Sequence, residues 1–246
     1  MEFLTYSNQN YRPDMAAMQD KIGFSIMDDM QIARSHMVDC QIRTNGVIDN
    51  KVLDAFEAVP REKFVPANKA AVAYTDKPLD LGSGRYLMDP MTHARMVQAL
   101  ALKPSDVLLD VGTGCGYAAA IASGLVTTVL SLGTRQAEQD KVDTTLNGVD
   151  IHNVVFVKGK LVQGLPDQAP FDAVFLSGAV AQMPDNLLDQ LGLGGRAVAV
   201  VRPDEKSVGQ VTLFVKDETG HVSSRVLFES SLPYLAGFEP KEAFVF

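Results

Sequence analysis

Three glycines at alternate positions, Gly112, Gly114 and Gly116, are the residues whose type and spacing most directly suggest a ligand site. They follow an apolar run at 107–111 and precede an alanine-rich stretch at 117–123, so they lie between a predicted buried strand and a predicted helix. Glycine adopts backbone angles that are closed to other residues and lets a ligand lie against the main chain. At the carboxyl edge of a parallel sheet, such a turn is typical of nucleotide-binding sites.

The same turn argues against one large class of nucleotide enzymes. The dinucleotide fingerprint of dehydrogenases needs Gly or Ala at its sixth position, where this chain has Tyr117. The spacing favours a turn that passes under the amino-acid end and ribose of a methyl donor. No catalytic side chain can be nominated: Cys115 is interpreted as a packing residue, and the scattered histidines as structural or surface residues. These histidines are His36, His93, His152 and His221.

A regular alternation of strands and helices positions the glycine turn. Strands are predicted at 107–111, 128–132, 154–157, 173–177, 197–201, 209–215 and 223–228. Helices are predicted at 92–102, 117–123, 136–147 and 184–191. The first five strands are rich in Val and Leu without polar alternation, which indicates burial on both faces of a parallel, doubly wound α/β sheet. The last two strands alternate and predict an antiparallel C-terminal edge, so the sheet is seven-stranded and mostly parallel.

Further elements precede this sheet. Apolar residues at helical spacing predict one helix over about 26–42 and another over 52–59. The stretch 74–90 mixes turn residues with isolated apolar ones, which predicts an ordered loop or a short hairpin. We expect these segments to cap a ligand cleft between the 112–116 turn and residues 87–90.

The size of the chain predicts one main domain. With 246 residues and 46% hydrophobic content, the chain can bury a full core. Residues 1–25 are polar and irregular, which predicts a flexible leader or, alternatively, a partner-binding arm. The expected organisation is this leader followed by a single domain over 26–246.

Composition narrows the partners and the compartment. The chain has 22 Lys+Arg against 30 Asp+Glu and a net charge of -8, so nucleic acid and anionic membranes are not expected partners. Cys40 and Cys115 are the two cysteines, and no Cys/His cluster has metal-ligand spacing, which predicts free thiols, a reducing compartment and no metal. Neither a signal segment nor an apolar run of membrane-spanning length is recognisable, so a cytoplasmic location is expected.

Four stretches together resemble the protein-L-isoaspartate O-methyltransferases over roughly positions 30 to 246. The first is VPREKFVP at 59–66, and AYTDKPL at 73–79 continues it. The glycine turn at 107–117 is another, and the last combines the GLP and APFD motifs within 164–172 with LLDQLGLGGR at 187–196. The resemblance implies the class I methyltransferase fold, with S-adenosylmethionine as methyl donor. It also implies methyl transfer to the side-chain carboxylate of an L-isoaspartyl residue in a protein or peptide, as a step of protein repair.

The resemblance also implies which residues bind the two substrates. The implied donor-binding positions are Asp110, Gly112, Thr113, Gly114, Gly116, Gly133, Thr134, Lys160, Leu161 and Ser177. The implied acceptor-binding positions are Leu87, Met88, Asp89 and Pro90. The reaction needs no buried nucleophile, because a carboxylate is already ionised at pH 7 and the protein's main task is to desolvate and orient it.

Three departures from the family pattern fall on ligand-facing positions. Gly133 stands where the family has an acid that binds both ribose hydroxyls, although Thr134 could replace it weakly. Lys160 stands where the family has the acid of a Gly-Asp-Gly motif beside the adenine. Met88 replaces a Ser or Thr that contacts the acceptor carboxylate, and a thioether cannot donate a hydrogen bond. Arg135 is a solvated charge at a helix start or, alternatively, a contact for a phosphorylated ribose.

These departures leave three functional interpretations open. The first is an active methyltransferase with loosened donor contacts, acting on the family's acceptor or on another one. The second is a catalytically inactive protein of the same fold that acts as an interaction or regulatory module. The third is an unrelated nucleotide-binding enzyme. The oligomeric state does not follow from the sequence.

Overall fold

A computed structural model describes the chain over residues 29–82, 84–112 and 114–240. The predicted leader at 1–25 and the predicted donor contact Thr113 lie outside these residues. The α-helices are α1 (29–36 in its described part), α2 (Asn50–Ala58), α3 (Pro90–Leu100), α4 (Tyr117–Ser123), α5 (Gln136–Asn147) and α6 (Asp185–Asp189). The strands are β1 (Leu79–Gly82), β2 (Arg85–Leu87), β3 (Val107–Val111), β4 (Thr128–Gly133), β5 (Val154–Lys158), β6 (Phe171–Val180), β7 (Leu191–Val201), β8 (Gln210–Lys216) and β9 (Val222–Glu229).

The main sheet has seven strands in the order β5-β4-β3-β6-β7-β8-β9. The first five strands in this order, from β5 through β4, β3 and β6 to β7, pair in parallel. Strands β8 and β9 add an antiparallel edge. This confirms the predicted seven-stranded α/β sheet. The chain continues from β3 to β4 on one side and later returns to β6 on the other. Doubly wound sheets bind ligands at such a switch point, because the connections leave a crevice at the carboxyl ends of the strands.

Helix α3 begins at Pro90, two residues before the predicted start at 92. The Asp89 side chain caps it, since its Oδ1 accepts a hydrogen bond of 2.8 Å from the Thr92 backbone N–H. Pro90 occupies the first turn, where its missing N–H costs no helical hydrogen bond. Asp89 and Pro90 therefore start this helix.

Strands β6 and β7 are longer than predicted, and α6 is shorter. Strand β6 covers ten residues instead of the predicted 173–177. The predicted helix at 184–191 ends at Asp189, because the chain enters β7 at Leu191 and pairs there with Phe171 of β6. The glycine-rich start of β7 has no apolar run, so its strand character did not show in the sequence.

The segment before the sheet contains both predicted helices and a hairpin. The first predicted helix, at 26–42, corresponds in its described part to α1 and the π-helical turn Met37–Ile42 that follows it. A short 3₁₀ turn then ends it before Gly46, whose φ is 87°. The stretch 74–90 contains the antiparallel pair β1 and β2, as the hairpin alternative predicted.

Apolar side chains cover both faces of the sheet. One cluster packs α2, α3 and α4 against one face, with Phe56, Met96 and Ile121 fully buried. The other lies under α6, with Val174 and Leu187 at its centre. Among the described residues, no helix is long and apolar enough to cross a membrane.

An ion pair ties the loop before β3 to β7. Arg196 Nη2 lies 2.5 Å from Asp106 Oδ2, and both side chains are largely buried. The same arginine donates hydrogen bonds to the backbone carbonyls of Ala101, at 2.8 Å, and Asp172, at 3.1 Å. These contacts hold the amino ends of the central strands together, opposite the candidate site.

Candidate functional site

A cleft, here named the edge cleft, opens at the carboxyl ends of β3, β4 and β6. Its walls are residues 84–86 of the hairpin, Gly112 and Gly114, residues 133–135 after β4, Leu161, Ser177 and the C-terminal segment 233–236. Six predicted donor positions line it: Gly112, Gly114, Gly133, Thr134, Leu161 and Ser177. Parallel pairing explains this convergence, because it brings the ends of neighbouring strands to one edge.

The glycine turn forms the floor of the edge cleft, where the main chain is open at Gly114 and covered by the Leu235 side chain at Gly112. Gly112 and Gly114 have φ values of 85° and 57°, a region that favours glycine. A Cβ added at Gly112 would lie 2.5 Å from Leu235 Cδ2. Gly116 also has a φ of 85°, but an added Cβ there would meet Val142 of α5 at 2.7 Å, and the residue does not line the cleft. Gly116 therefore serves the packing of α5.

Asp110 lies directly behind the edge cleft and is fully buried. Its Oδ1 accepts a 2.7 Å hydrogen bond from the Ser177 hydroxyl, and its Oδ2 accepts one of 3.4 Å from Ser131. Because Ser177 gives its proton to Asp110, its oxygen lone pairs remain available to a ligand in the cleft. The carboxylate thus acts on the cleft through the serine.

The ring of Phe156 leaves no room for an acidic side chain at Gly133, the last residue of β4. A Cβ added at Gly133 would lie 2.4 Å from Cζ of Phe156, which is buried on β5. The ring thus occupies space that a larger side chain at position 133 would need. Among the described side chains that line the edge cleft, the charged ones are Arg85 and Arg135.

Lys160 does not line the edge cleft, contrary to the sequence prediction. It is exposed and borders a separate surface groove with Gln163 and Asn186, whereas its neighbour Leu161 turns inward. The short 3₁₀ turn Leu161–Gln163 causes this difference, because it buries its first residue and leaves Lys160 outside as the N-cap.

The C-terminal segment 233–236 forms a wall of the edge cleft that was not predicted from the sequence. The Ala179 N–H donates to the Pro233 carbonyl at 2.9 Å, and the Leu235 N–H donates to the Ala179 carbonyl at 2.8 Å, so the segment runs along the end of β6. Leu235 then lies over Gly112 and Gly178. The apolar run at 232–235, after the last predicted strand, was the signal available in the sequence.

Leu235 also narrows the edge cleft. The enclosed volume is about 110 Å³, which is less than the roughly 300 Å³ at the lower end for small-molecule sites. A bound nucleoside must therefore extend into the open mouth of the cleft or displace Leu235. Met88, Tyr117 and Lys160 do not line the cleft, so none of them blocks it.

The predicted acceptor positions lie beside the edge cleft rather than in it. Leu87 and Met88 border a small cavity of about 10 Å³, together with Tyr86, His93, Cys115, Ala118 and Ser177. The Asp89 carboxylate is engaged with its own helix, and Pro90 is buried. The predicted wall at 87–90 is thus wrong by a few residues, because residues 84–86 of the hairpin form it.

Buried aromatic and basic side chains pack beside the hairpin of β1 and β2 and hold the residues that flank it. Arg61 is fully buried, and its guanidinium donates to the carbonyls of Ala73 and Met88, both at 2.6 Å. Its Cζ lies 4.9 Å from the ring centre of Tyr117. Burial raises the pKa of Tyr117 to about 12, against the opposing effect of Arg61. Burial also raises the pKa of the Cys115 thiol, which agrees with a packing role and not with a nucleophile.

His93 is held neutral within this cluster. Its ring lies 5.0 Å from that of Phe56 and 5.4 Å from that of Phe175, centre to centre. Neither ring nitrogen has a hydrogen-bond partner among the described residues. Burial first, and the charge of Arg61 second, lower the pKa of His93 from 6.5 to about 3.

We expect this histidine to make the fold sensitive to acid. Above pH 6.5 the imidazole is neutral in both states; as the pH falls from 6.5 towards 3, only the unfolded chain takes up the proton. Stability should therefore fall by about 1.4 kcal/mol per pH unit in that window. His93→Leu should remove this part of the slope in urea unfolding measured from pH 7 to pH 4. The control His152→Leu, at an exposed histidine, should keep the wild-type slope, and equal slopes in both variants would refute the assignment.

No cluster of three or more His, Cys, Asp or Glu side chains that could hold a metal ion occurs in the described part of the chain. The arrangement at the edge cleft is instead suited to binding and orienting a nucleoside. It offers an open stretch of main chain at Gly114, one serine hydroxyl held by Asp110, and two arginines at the rim.

Comparisons with known proteins agree with this geometry. The family model for protein-L-isoaspartate(D-aspartate) O-methyltransferase matches residues 33–232. A protein-L-isoaspartate O-methyltransferase from Koribacter versatilis is 34% identical over 223 residues, which cover 91% of this chain and 96% of the relative. One from Methanoculleus marisnigri is 39% identical over 172 residues, which cover 70% and 78% of the two chains.

Solved structures show the same fold. A protein-L-isoaspartate O-methyltransferase structure superposes with a TM-score of 0.72 at 23% identity, covering 84% of this chain and 67% of the other. A structure from Plasmodium falciparum, assigned to the same activity and in complex with S-adenosyl-L-homocysteine, gives a TM-score of 0.67 at 19% identity, covering 81% and 96%. With the family match over residues 33–232 and the relative from Koribacter versatilis, these findings establish that the chain belongs to the protein-L-isoaspartate O-methyltransferase family.

Proposed function

We propose that the chain transfers a methyl group from S-adenosylmethionine to a carboxylate of a protein or peptide, as an enzyme of protein repair. The observation that carries this proposal is the edge cleft, where six predicted donor positions converge at the carboxyl ends of β3, β4 and β6. The family match supports this interpretation over a protein that retains only the fold.

When bound, S-adenosylmethionine would supply an electrophilic methyl group: the acceptor carboxylate would form the new oxygen–carbon bond, and the sulfur would keep the electrons of the broken sulfur–carbon bond. The residues of this chain bind the donor and orient it. Gly114 leaves the main chain open to the donor, whereas Gly112 does so only where Leu235 is displaced. Ser177, fixed by Asp110, offers an acceptor of hydrogen bonds. Since the attacking carboxylate is ionised at neutral pH, positioning and exclusion of water provide most of the rate enhancement.

The fit is incomplete where the ribose would lie. Gly133 offers no carboxylate, and Thr134 is the neighbouring side chain that can hydrogen-bond a hydroxyl. Loss of a charge-assisted contact weakens binding by roughly 1.5 to 3 kcal/mol, or about one to two powers of ten. We therefore expect the chain to bind the donor more weakly than an otherwise equal site with an acid at this position.

Calorimetric titration with S-adenosylmethionine and S-adenosylhomocysteine tests the donor site. We expect micromolar to submillimolar binding by the wild type. Gly112→Val, checked for folding by circular dichroism, should bind neither, because its side chain would project into the cleft and occupy the space that the donor needs on the turn, at a φ of 85°. Radiolabel transfer to an isoaspartyl peptide, with the matching aspartyl peptide as control, tests the reaction. Absence of both binding and transfer at millimolar ligand would refute the proposal.

The net charge and the cysteines bear on the partners and the compartment of the protein. The acceptor is a protein or peptide, and the net charge of -8 argues against a nucleic acid. Cys40 is exposed and Cys115 is partly buried, and both are free thiols, which supports a cytoplasmic setting. We assign the activity to a single domain over 26–246.

A further inference from the structure

Two described cavities adjoin the edge cleft and share lining residues with it, so each is a candidate site for the acceptor segment. The small cavity beside Met88 shares Tyr86 and Ser177 with the cleft. Its volume of about 10 Å³ is room for one water molecule at most. A second cavity shares Arg85 and Gly114 with the cleft and has a volume of about 530 Å³, which is within the range of ligand sites. Volume alone therefore favours the second cavity for a polypeptide acceptor.

This second cavity, here named the basic groove, lies between the turn Arg61–Phe64, strand β1 and helix α5. Its floor is apolar and consists of the buried side chains of Phe64, Leu81 and Val142. Apolar floors of this kind accept the side-chain stems and backbone of a bound segment, because burial of apolar surface is favourable.

The rim of the basic groove is cationic. Lys63, Arg85 and Lys141 line it, against a single carboxylate, Asp140. This local excess of positive charge runs against the chain's net charge of -8. Charges of one sign around a cleft raise the local concentration of ligands of the other sign, so the groove favours anionic segments over cationic ones.

We propose that the basic groove binds the polypeptide segment that carries the acceptor carboxylate, with a preference for acidic residues beside it. Arg85 lines both the groove and the edge cleft, so it is placed to pair with a carboxylate that passes between them. This inference rests on the proposed methyl transfer. It places the acceptor on the α5 side of Gly114, away from Met88.

Two isoaspartyl peptides that differ only in their flanking residues, glutamates in one and lysines in the other, test this preference. With wild-type protein, the glutamate peptide should have the lower KM. Lys63→Gln and Lys141→Gln should each raise that KM by about threefold, and the double variant by about tenfold, with kcat little changed. Lys103→Gln is the matched control, because Lys103 is an exposed lysine just before β3, at the opposite edge of the sheet.

Fluorescence anisotropy of the labelled glutamate peptide, measured without donor, separates this inference from the proposed reaction. Weaker binding by the double variant than by Lys103→Gln supports the groove even if no methyl transfer is found. Equal binding and equal KM in the double variant and the control would overturn it, as would a wild-type preference for the lysine peptide.

Discussion

Arg61→Leu is expected to lower the free energy of unfolding by about 2 to 6 kcal/mol. The buried carbonyls of Ala73 and Met88 would each lose their hydrogen-bond donor, and each unsatisfied carbonyl costs about 1 to 3 kcal/mol of stability. Arg61 is fully buried and links the segment before β1 to the residue after β2. Urea unfolding measures the effect. The hairpin that walls the edge cleft should also become mobile, so donor affinity should fall together with stability.

Two further variants test whether the lost stability comes from the two hydrogen bonds of Arg61. Arg225→Leu, at an exposed arginine on β9, should change stability by less than about 0.5 kcal/mol. Arg61→Lys keeps the charge but cannot reach both carbonyls with a planar fork, so it should recover only part of the stability. If Arg61→Leu unfolds at the same urea concentration as Arg225→Leu, the bridging role is refuted.

The second large effect concerns Gly133 and Phe156. Gly133→Glu alone should destabilise the protein and leave donor affinity unimproved, because the new Cβ would lie 2.4 Å from the Phe156 ring. Combined with Phe156→Val, which removes that ring, the same glutamate should tighten donor binding by about 10- to 100-fold over Phe156→Val alone. Calorimetric titration with S-adenosylhomocysteine measures the gain.

A double-mutant cycle isolates the contribution of the carboxylate. Phe156→Val alone should cost about 1 to 3 kcal/mol of stability through the cavity it creates, with little change in donor affinity. Gly133→Gln in that background has the size of glutamate without its charge, so it should bind the donor more weakly than the glutamate variant. Equal affinity of the two double variants would show that no ribose hydroxyl lies at this position.

The sequence was sufficient for the fold because its signals are local. The runs at 107–111 and 128–132 are rich in Val and Leu and lack polar alternation, and this pattern predicts strands buried on both faces. The structure has strands at both places, paired in parallel. The glycine turn was likewise readable, because the positive φ that Gly112 and Gly114 adopt strongly favours glycine and so leaves a local signature in the sequence.

The contents of the site depended on contacts between residues far apart in the chain. Leu235 lies over Gly112, and Phe156 lies behind Gly133; neither pair is visible in a local pattern, because each meets only when strands and the C-terminal segment come together. The role of Asp89, by contrast, depends on a residue close to it in the chain. Its carboxylate accepts a hydrogen bond from the Thr92 backbone and caps α3 instead of facing a ligand.

Sequence by itself thus determined the sheet and the place of the nucleotide turn, since periodicity and turn residues are properties of short segments. The family followed from the resemblance of four short stretches, which are local as well. Tertiary structure alone decided which side chains face the edge cleft, which space is already filled and where a larger acceptor can enter. The physical reason is close packing: whether a cavity exists depends on the sum of all neighbouring volumes, and no single segment contains that sum.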